Sequence, residues 1–416
     1  MTGLDGLTLR YTGSVKNVWK LASKPQHLWF EFTDDYSVFD WGKMPDQIAN
    51  KGKALALIGT HFFNLFSYPE YWRTLPQSQH LKKFDTAFLD RVWHSQTFAG
   101  KNGLRVAGLP SHFLELVGPD LVPIKITPQT LRDIDRVPKL LMEVLAAEVH
   151  HPIQKVVADQ TVYFYPQANN ELGQSGISRR LVPLEVIFRF GMTKGSSLIS
   201  RLELDPGYAH TLGLSEKPVA DQWFSRPVIE FSTKLEPKDR MLTVQEAILM
   251  SSLTPDQFER LVDTTLLVAL GLHHWFQEKD LELWDGKLEF VIESALDQSL
   301  LLADTIGPDE LRIMHKGQQL SKEFIRQYYR TTPWSESVKK AQDKAKSLPG
   351  ADWKEICLQS KDNQPSRLPS NIKGLADNLY GVLANTITGK EFIPDQPTLS
   401  AFVSAIDKTL AEGARK

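Results

Sequence analysis

The segment LVPLEVIFRF (181–190) alternates with a period of two, and this constrains the fold more than any other stretch of the chain. Drawn out as a strand, it sets Glu185, Ile187 and Arg189 on one face and Leu184, Val186, Phe188 and Phe190 on the other. Such a strand rests on an apolar floor and holds two ionisable side chains together on the opposite side. Leu7–Tyr11 and Leu28–Phe32 are shorter alternating stretches bounded by turn residues and read as antiparallel strands. KLEFVIE (287–293) and SLLLADT (299–305) read as a hairpin around Asp297, and a further strand is expected at Thr161–Tyr165.

Helical signals lie between these strands. Leu55, Ile58, Phe62 and Leu65 recur at three- and four-residue spacing and form one apolar stripe that can pack on the preceding sheet. Thr243 with Glu246 is a capping box, and Thr254 before Pro255 is a second start signal. A helix is also expected over Arg136–His150, and the polar loop PQANNELGQSG (166–176) is expected to be mobile near a lobe junction. The aromatic-rich stretch 67–104 reads as an ordered insertion. After Trp334 the chain is amphipathic by pieces and broken by Pro349, Pro365, Pro369 and Pro394, as expected of a helical appendage.

Length predicts two to three domains for 416 residues, and a 42% hydrophobic, 24% charged composition is that of a globular chain. With 48 basic and 50 acidic residues and no basic block, nucleic-acid binding is not expected. No apolar run approaches the length of a membrane span, and the N-terminus lacks a signal-peptide pattern. A single cysteine, Cys357, excludes an internal disulfide framework or a multi-thiolate zinc site, reads as a packing residue, and suits a reducing compartment. The expected location is cytoplasmic. Neighbouring residues on a helix point about 100° apart, so neither His150–His151 nor His273–His274 can chelate a metal as a unit. Both pairs are expected to be surface or core histidines.

The chain lacks a Walker-type loop, a Rossmann glycine fingerprint, HExxH and GxSxG. Chemistry-bearing residues instead cluster in FTDDYSVFDWG (32–42) followed by Lys51–Gly52, and in GLPSHF (108–113), VPLEVIFR (182–189), Gly195–Ser197, FSTKLEPKDRMLT (231–243), DGKLEF (285–290) and ADTIGPDELR (303–312). Taken in this order, the blocks resemble those of the SAICAR synthetase family over residues 7–330, with two insertions. The resemblance implies an α+β, two-lobe fold. An antiparallel ATP-binding lobe (1–125, with the 67–104 insertion) precedes an α+β second lobe (126–334), with the cleft at their junction and a helical C-terminal extension (335–416). It also implies an ATP-dependent carbon–nitrogen ligase that joins carboxyaminoimidazole ribotide to L-aspartate through an acyl phosphate, in purine synthesis.

Carried over residue by residue, the resemblance assigns the ribotide phosphate to Arg189, Ser196 and Arg312, and ATP to Lys16, Asp35, Glu185 and Glu289. Glu289 and Asp304 become ligands for Mg²⁺, a hard cation that takes oxygen donors. Lys234, Asp239 and Lys287 become catalytic, and Ser37, Asp40 and Lys51 form a substrate-facing turn. Plainer readings stand beside these: Arg189 as a strand arginine paired with Glu185, Lys16 as a solvated lysine, Glu289 or Asp304 in a structural ion pair, and 35–40 as an ordinary Asp- and Ser-rich turn. The chain departs from the family pattern at three places. Ser14 stands where a lysine is expected, Thr305 where a glutamate is, and Glu310–Leu311 where small residues are. Two alternatives follow: a paralogue with another carboxylate or amine, and a nucleotide- or ribotide-binding protein without turnover. The expected partners are small molecules, with a homo-oligomer possible and neither nucleic acid nor membrane involved.

Overall fold

The computed structural model describes residues 6–126, 134, 136–166, 177–293, 299–348 and 351–413. The N-terminal part is built on five antiparallel strands, β1 (Leu7–Thr12), β2 (Lys16–Leu21), β3 (His27–Phe32), β4 (Phe113–Val117) and β5 (Leu141–Leu145), in the order β1-β2-β3-β5-β4. The expected helix over Arg136–His150 is corrected here, because its centre is β5. The run LLMEVL is rich in helix-forming residues, but Leu141–Val144 is buried between two strands that each need a hydrogen-bonding neighbour. Tertiary context overrides a weak local preference.

Helix α1 (Lys51–Ser67) packs its apolar stripe on this sheet. Its entry depends on Gly52, where an added Cβ would lie 2.2 Å from the carbonyl oxygen of Phe32. The 67–104 insertion is ordered and mostly helical, and contributes Trp72, Leu81, Phe84, Phe88 and Phe98 to the main core.

Strands β6 (Ile153–Val157) and β7 (Gln160–Phe164) form a separate hairpin. Most of the 166–176 loop lies outside the described residues, as does the turn at Asp297. The second sheet comprises β8 (Arg179–Leu181), β9 (Leu184–Met192), β10 (Gln222–Thr233), β11 (Met241–Leu242), β12 (Glu282–Glu293), β13 (Leu300–Ala303), β14 (Leu311–His315) and β15 (Gln318–Gln319). Its main path runs β11-β10-β9-β12-β14-β15, and the long β12 also pairs with β8 and β13. Helices α2 (Val244–Ser251) and α3 (Pro255–Gln277) start with complete capping boxes at Thr243 and Thr254. The buried α3 covers the apolar face of this sheet, with the His273 ring 4.8 Å from that of Phe190.

The two sheets are joined through GLPSHF. His112 N–H donates to the Leu302 carbonyl (2.9 Å), Leu302 N–H to that of Pro110 (3.0 Å), and Leu145 N–H to that of His112 (2.7 Å). The C-terminal segment is helical and shares the main core, with α4 (Ser370–Thr388) packed beside α1. Cys357 is buried within it. Among the described residues no helix is long and apolar enough to cross a membrane.

Candidate active site

The polar face foreseen in residues 181–190 extends across four strands. Arg189 and Ile187 of β9 lie opposite Asp285 and Lys287 of β12, Asp285 lies opposite Arg312 of β14, and Glu185 lies opposite Ser232 of β10. Directly opposed residues of an antiparallel pair project to the same side, so period-two spacing on β9 and β12 gathers these groups on one surface. The reverse face is packed so tightly that a Cβ on Gly286 would come within 2.7 Å of the Phe188 ring.

At the end near β13, lysines and carboxylates alternate. Lys16 pairs with Asp304 and Lys234 with Glu289, while Lys287 Nζ is 2.5 Å from Glu185 Oε1. Burial alone would lower the lysine pKa values, but Glu289 holds Lys234 above its ordinary range and Glu185 does the same for Lys287, so both remain ammonium ions. Burial would raise Asp304, but Lys16 and Lys234 hold it well below the carboxylate range. Glu289 is pushed up by burial and by the adjacent Asp304. Asp239 is pushed up by burial and by Glu185, against the pull of Lys287 and Lys234. Ser37 accepts from Gly42 N–H in the 35–42 turn (3.3 Å), while Asp40 has a left-handed φ of 57° and acts electrostatically on Asp239.

The other end holds a basic pocket. Arg189 is buried between Glu230 and Asp285 Oδ2 (2.9 Å), and Arg312 lies 3.6 Å from the same Asp285 oxygen while also donating to Thr193 Oγ1. The two guanidiniums thus converge on one carboxylate, and the pairing of Arg189 with Glu185 is not formed. Ser196 caps the helix Ser197–Leu204 and lies 3.5 Å from Arg189 Nη1. In front of Arg312 is a cavity of about 270 Å³, lined also by Asp40, Lys194, Gly195, Arg326 and Arg330. Gly195 has a φ of +76°, a conformation that a side chain would strain.

Two assigned residues lie elsewhere. Lys51 is fully buried, with Nζ 3.0 Å from Asp309 Oδ2 and 5.3 Å from the Tyr380 ring centroid. Asp35 pairs with Lys43 (2.5 Å) and lines a different cavity with Gln47, Arg367 and Lys373. At the departures from the family pattern, Ser14 is exposed in the β1–β2 turn, and Thr305 is buried against α1, where a Cβ on Gly59 would lie 2.9 Å from its Oγ1. Glu310 is raised to about 8 by burial and by Asp309 and Asp304.

Glu230, Asp285, Thr193, Arg326 and Arg330 were not foreseen. Glu230 was legible in principle, because Glu230, Ser232 and Lys234 alternate in IEFSTK just as Asp285, Lys287 and Glu289 do in DGKLEF. The two arginines belong to a helix, Glu323–Arg330, whose position before the pocket depends on tertiary packing.

Residues 9–100 and 136–341 match the family model described as SAICAR synthetase. The chain is 31% identical over 403 residues to the putative phosphoribosylaminoimidazole-succinocarboxamide synthase of Archaeoglobus fulgidus, covering 96% of this chain and 99% of that protein. It is 28% identical over 225 residues to the phosphoribosylaminoimidazole-succinocarboxamide synthase of Thermoplasma acidophilum, covering 52% of this chain and 70% of that one. The fold is similar to that of the SAICAR synthase from Saccharomyces cerevisiae complexed with SAICAR, at a TM-score of 0.52 and 19% identity over 94% of this chain and 98% of that one.

Proposed function

The chain belongs to the SAICAR synthetase family, and from that premise we propose that it joins carboxyaminoimidazole ribotide to L-aspartate with ATP, giving SAICAR, ADP and phosphate. The observation that carries this reading to particular side chains is the alternating row of Lys16, Asp304, Lys234, Glu289, Lys287 and Glu185, brought together from β2 of the first sheet and from the strands and strand ends of the second, and continuous with the basic pocket at Arg312.

In this reading the ribotide phosphate enters the pocket, where Arg312 meets it directly. Arg189 is already held by two carboxylates, so it adds positive potential and fixes Asp285 and Ser196 in place. The ribotide carboxylate oxygen attacks the γ-phosphorus of ATP and ADP leaves. The aspartate amine then attacks the acyl carbon, phosphate leaves, and the amine proton passes to a carboxylate. Asp239 suits that last role, because burial and Glu185 make its Oδ a better proton acceptor than an ordinary aspartate. Lys234 and Lys287, held protonated, stabilise charge developing on the transferred phosphoryl group.

Glu289 and Asp304 fit Mg²⁺, being a buried and a half-buried carboxylate, the first in β12 opposite Ala303 and the second directly after Ala303, each paired with a lysine side chain. When bound, the ion would neutralise phosphate charge, leaving Lys16 and Lys234 to pair with phosphate oxygens instead. The reading is tested by incubating purified protein with ribotide, aspartate, ATP and Mg²⁺ and measuring ADP and the succinocarboxamide. ADP release dependent on both substrates is expected, and none above background would overturn it.

A further inference from the structure

The histidine pair at 273–274 cannot chelate alone, but the structure brings outside partners to one of its members. His274 and Glu278 stand one turn apart at the C-terminal end of α3, and His80 approaches from the short 3₁₀ turn Gln79–Leu81 of the insertion. One potential ligand atom from each of the three lies within 4.8 Å of the others. Tetrahedral coordination with bonds of about 2.0–2.1 Å sets ligand atoms roughly 3.3 Å apart, a spacing that small side-chain rotations reach from here. His80 Nε2 and Glu278 Oε1 are already 2.7 Å apart, close enough to share an ion in place of a proton.

The surroundings are those of a metal ligand as well. His274 Nδ1 lies 2.9 Å from Ser78 Oγ, and Ser78 also caps the turn by accepting from His80 N–H (3.2 Å). With Nδ1–H donating to the serine, Nε2 keeps its lone pair, which is how outer-shell partners orient a coordinating imidazole. Side-chain exposures of 34% for His80 and 52% for Glu278 leave an entry path from solvent and room for a water as fourth ligand.

We propose that His80, His274 and Glu278 form a binding site for one Zn²⁺-like divalent ion, which staples the 67–104 insertion to the end of α3. Two imidazoles and one carboxylate select a borderline-soft ion over Mg²⁺, which prefers oxygen donors. The site is therefore chemically distinct from Glu289 and Asp304. It is spatially distinct too, since α3 covers the apolar face of the second sheet and those carboxylates occupy another surface. A bound ion stabilises whichever state binds it, so the expected effect is thermal stabilisation and a fixed insertion.

The test uses the full chain, stripped with chelator and titrated with Zn²⁺ by calorimetry and with Co²⁺ by visible absorption. Wild-type protein should bind one more Zn²⁺ than the His80→Ala, His274→Ala double variant, show tetrahedral Co²⁺ bands that the variant lacks, and gain several degrees in Tm with Zn²⁺. Glu278→Gln, a change at an exposed position with the fold otherwise untouched, should weaken binding at least tenfold, and reads the site independently if the double variant folds poorly. Equal stoichiometry and affinity in wild type and Glu278→Gln, or no Zn²⁺ binding by wild type, would overturn the proposal.

Discussion

Arg189 and Arg312 reach the same carboxylate but differ in what surrounds them, and this separates the expected effects of removing each. Arg189 is buried against Glu230 and Asp285, so Arg189→Met removes the cation between two buried carboxylates, leaving Glu230 to Arg201 and Tyr208 and Asp285 to Arg312 at 3.6 Å, and should destabilise the protein in urea unfolding by about 3 kcal/mol, the low end of the cost of breaking a buried ion pair. Arg312 is partly exposed and lines the pocket. Arg312→Met should instead raise the KM for ribotide ten- to a hundredfold, as expected for losing one charge-assisted contact of about 1.5–3 kcal/mol, with little change in the urea midpoint. Equal effects of the two variants on both measurements would contradict this division. Glu310 carries a pH signature of its own. Its folded pKa, about 8, lies above the ordinary 4.5, so on raising the pH the unfolded chain loses this proton first. The stability tied to it is complete below about 4.5, declines as pH rises toward about 8, and is absent above. Between those limits the urea midpoint of wild type should fall relative to Glu310→Gln, and parallel pH profiles would show that Glu310 titrates normally. The alternation that carries Glu230 and Asp285 was legible, but their meeting at Arg189 was not, because it depends on which strands become neighbours, and the shift at Glu310 was not, because it depends first on burial.

Elements with a strong local pattern were legible, and those defined by their neighbours were not. β9 was readable because its alternation coincides with a real division between apolar floor and polar face, and α2 and α3 because capping boxes mark their starts. β5 was misread as helix because a strand buried on both faces shows no alternation, and its composition favoured helix. The Lys51–Gly52 step shows how a motif can serve the architecture. Gly52 lets α1 start against the end of β3, with its N–H donating to Asp34 Oδ1 (2.9 Å), and the lysine before it is buried under the C-terminal helices. Gly52→Ala would drive a Cβ against the Phe32 carbonyl oxygen, so α1 must shift, at a cost of about 1–3 kcal/mol by the usual scale of overpacking. Chemical denaturation measures this, and an unchanged midpoint would mean that the helix entry is more plastic than its close packing implies.

At the scale of the whole molecule, Asp309 ties three segments together. Its carboxylate lies 3.0 Å from Lys51 at the start of α1 and 3.5 Å from Lys322 after β15, and it accepts a 2.6 Å hydrogen bond from Tyr380 on α4. Burial opposes ionisation, but Lys322 and Lys51 hold its pKa well below the carboxylate range, so a charged hub sits between the first lobe, the second lobe and the C-terminal helices. The same helices are anchored elsewhere: Leu368 N–H donates to Asp46 (2.5 Å) and Ala49 N–H to Asp377 (2.8 Å), while Leu379 and Leu383 share a core with Leu55 and Ile58. A segment held by backbone donors, a buried carboxylate and a common apolar core should unfold with the body. Calorimetry of the full chain should therefore show no separate low-temperature transition for residues 367–413. Tyr380→Phe, which leaves Asp309 short of one buried donor, should lower the single transition by the equivalent of about 1–3 kcal/mol. A chain ending at residue 366 should lack a cooperative transition, because Asp309 loses Tyr380, Asp46 loses Leu368 N–H, and the apolar side of α1 that faces α4 becomes exposed to water. If that shortened chain melted cooperatively at the wild-type temperature, the C-terminal helices would be a separable appendage and the Asp309 hub would not couple the lobes.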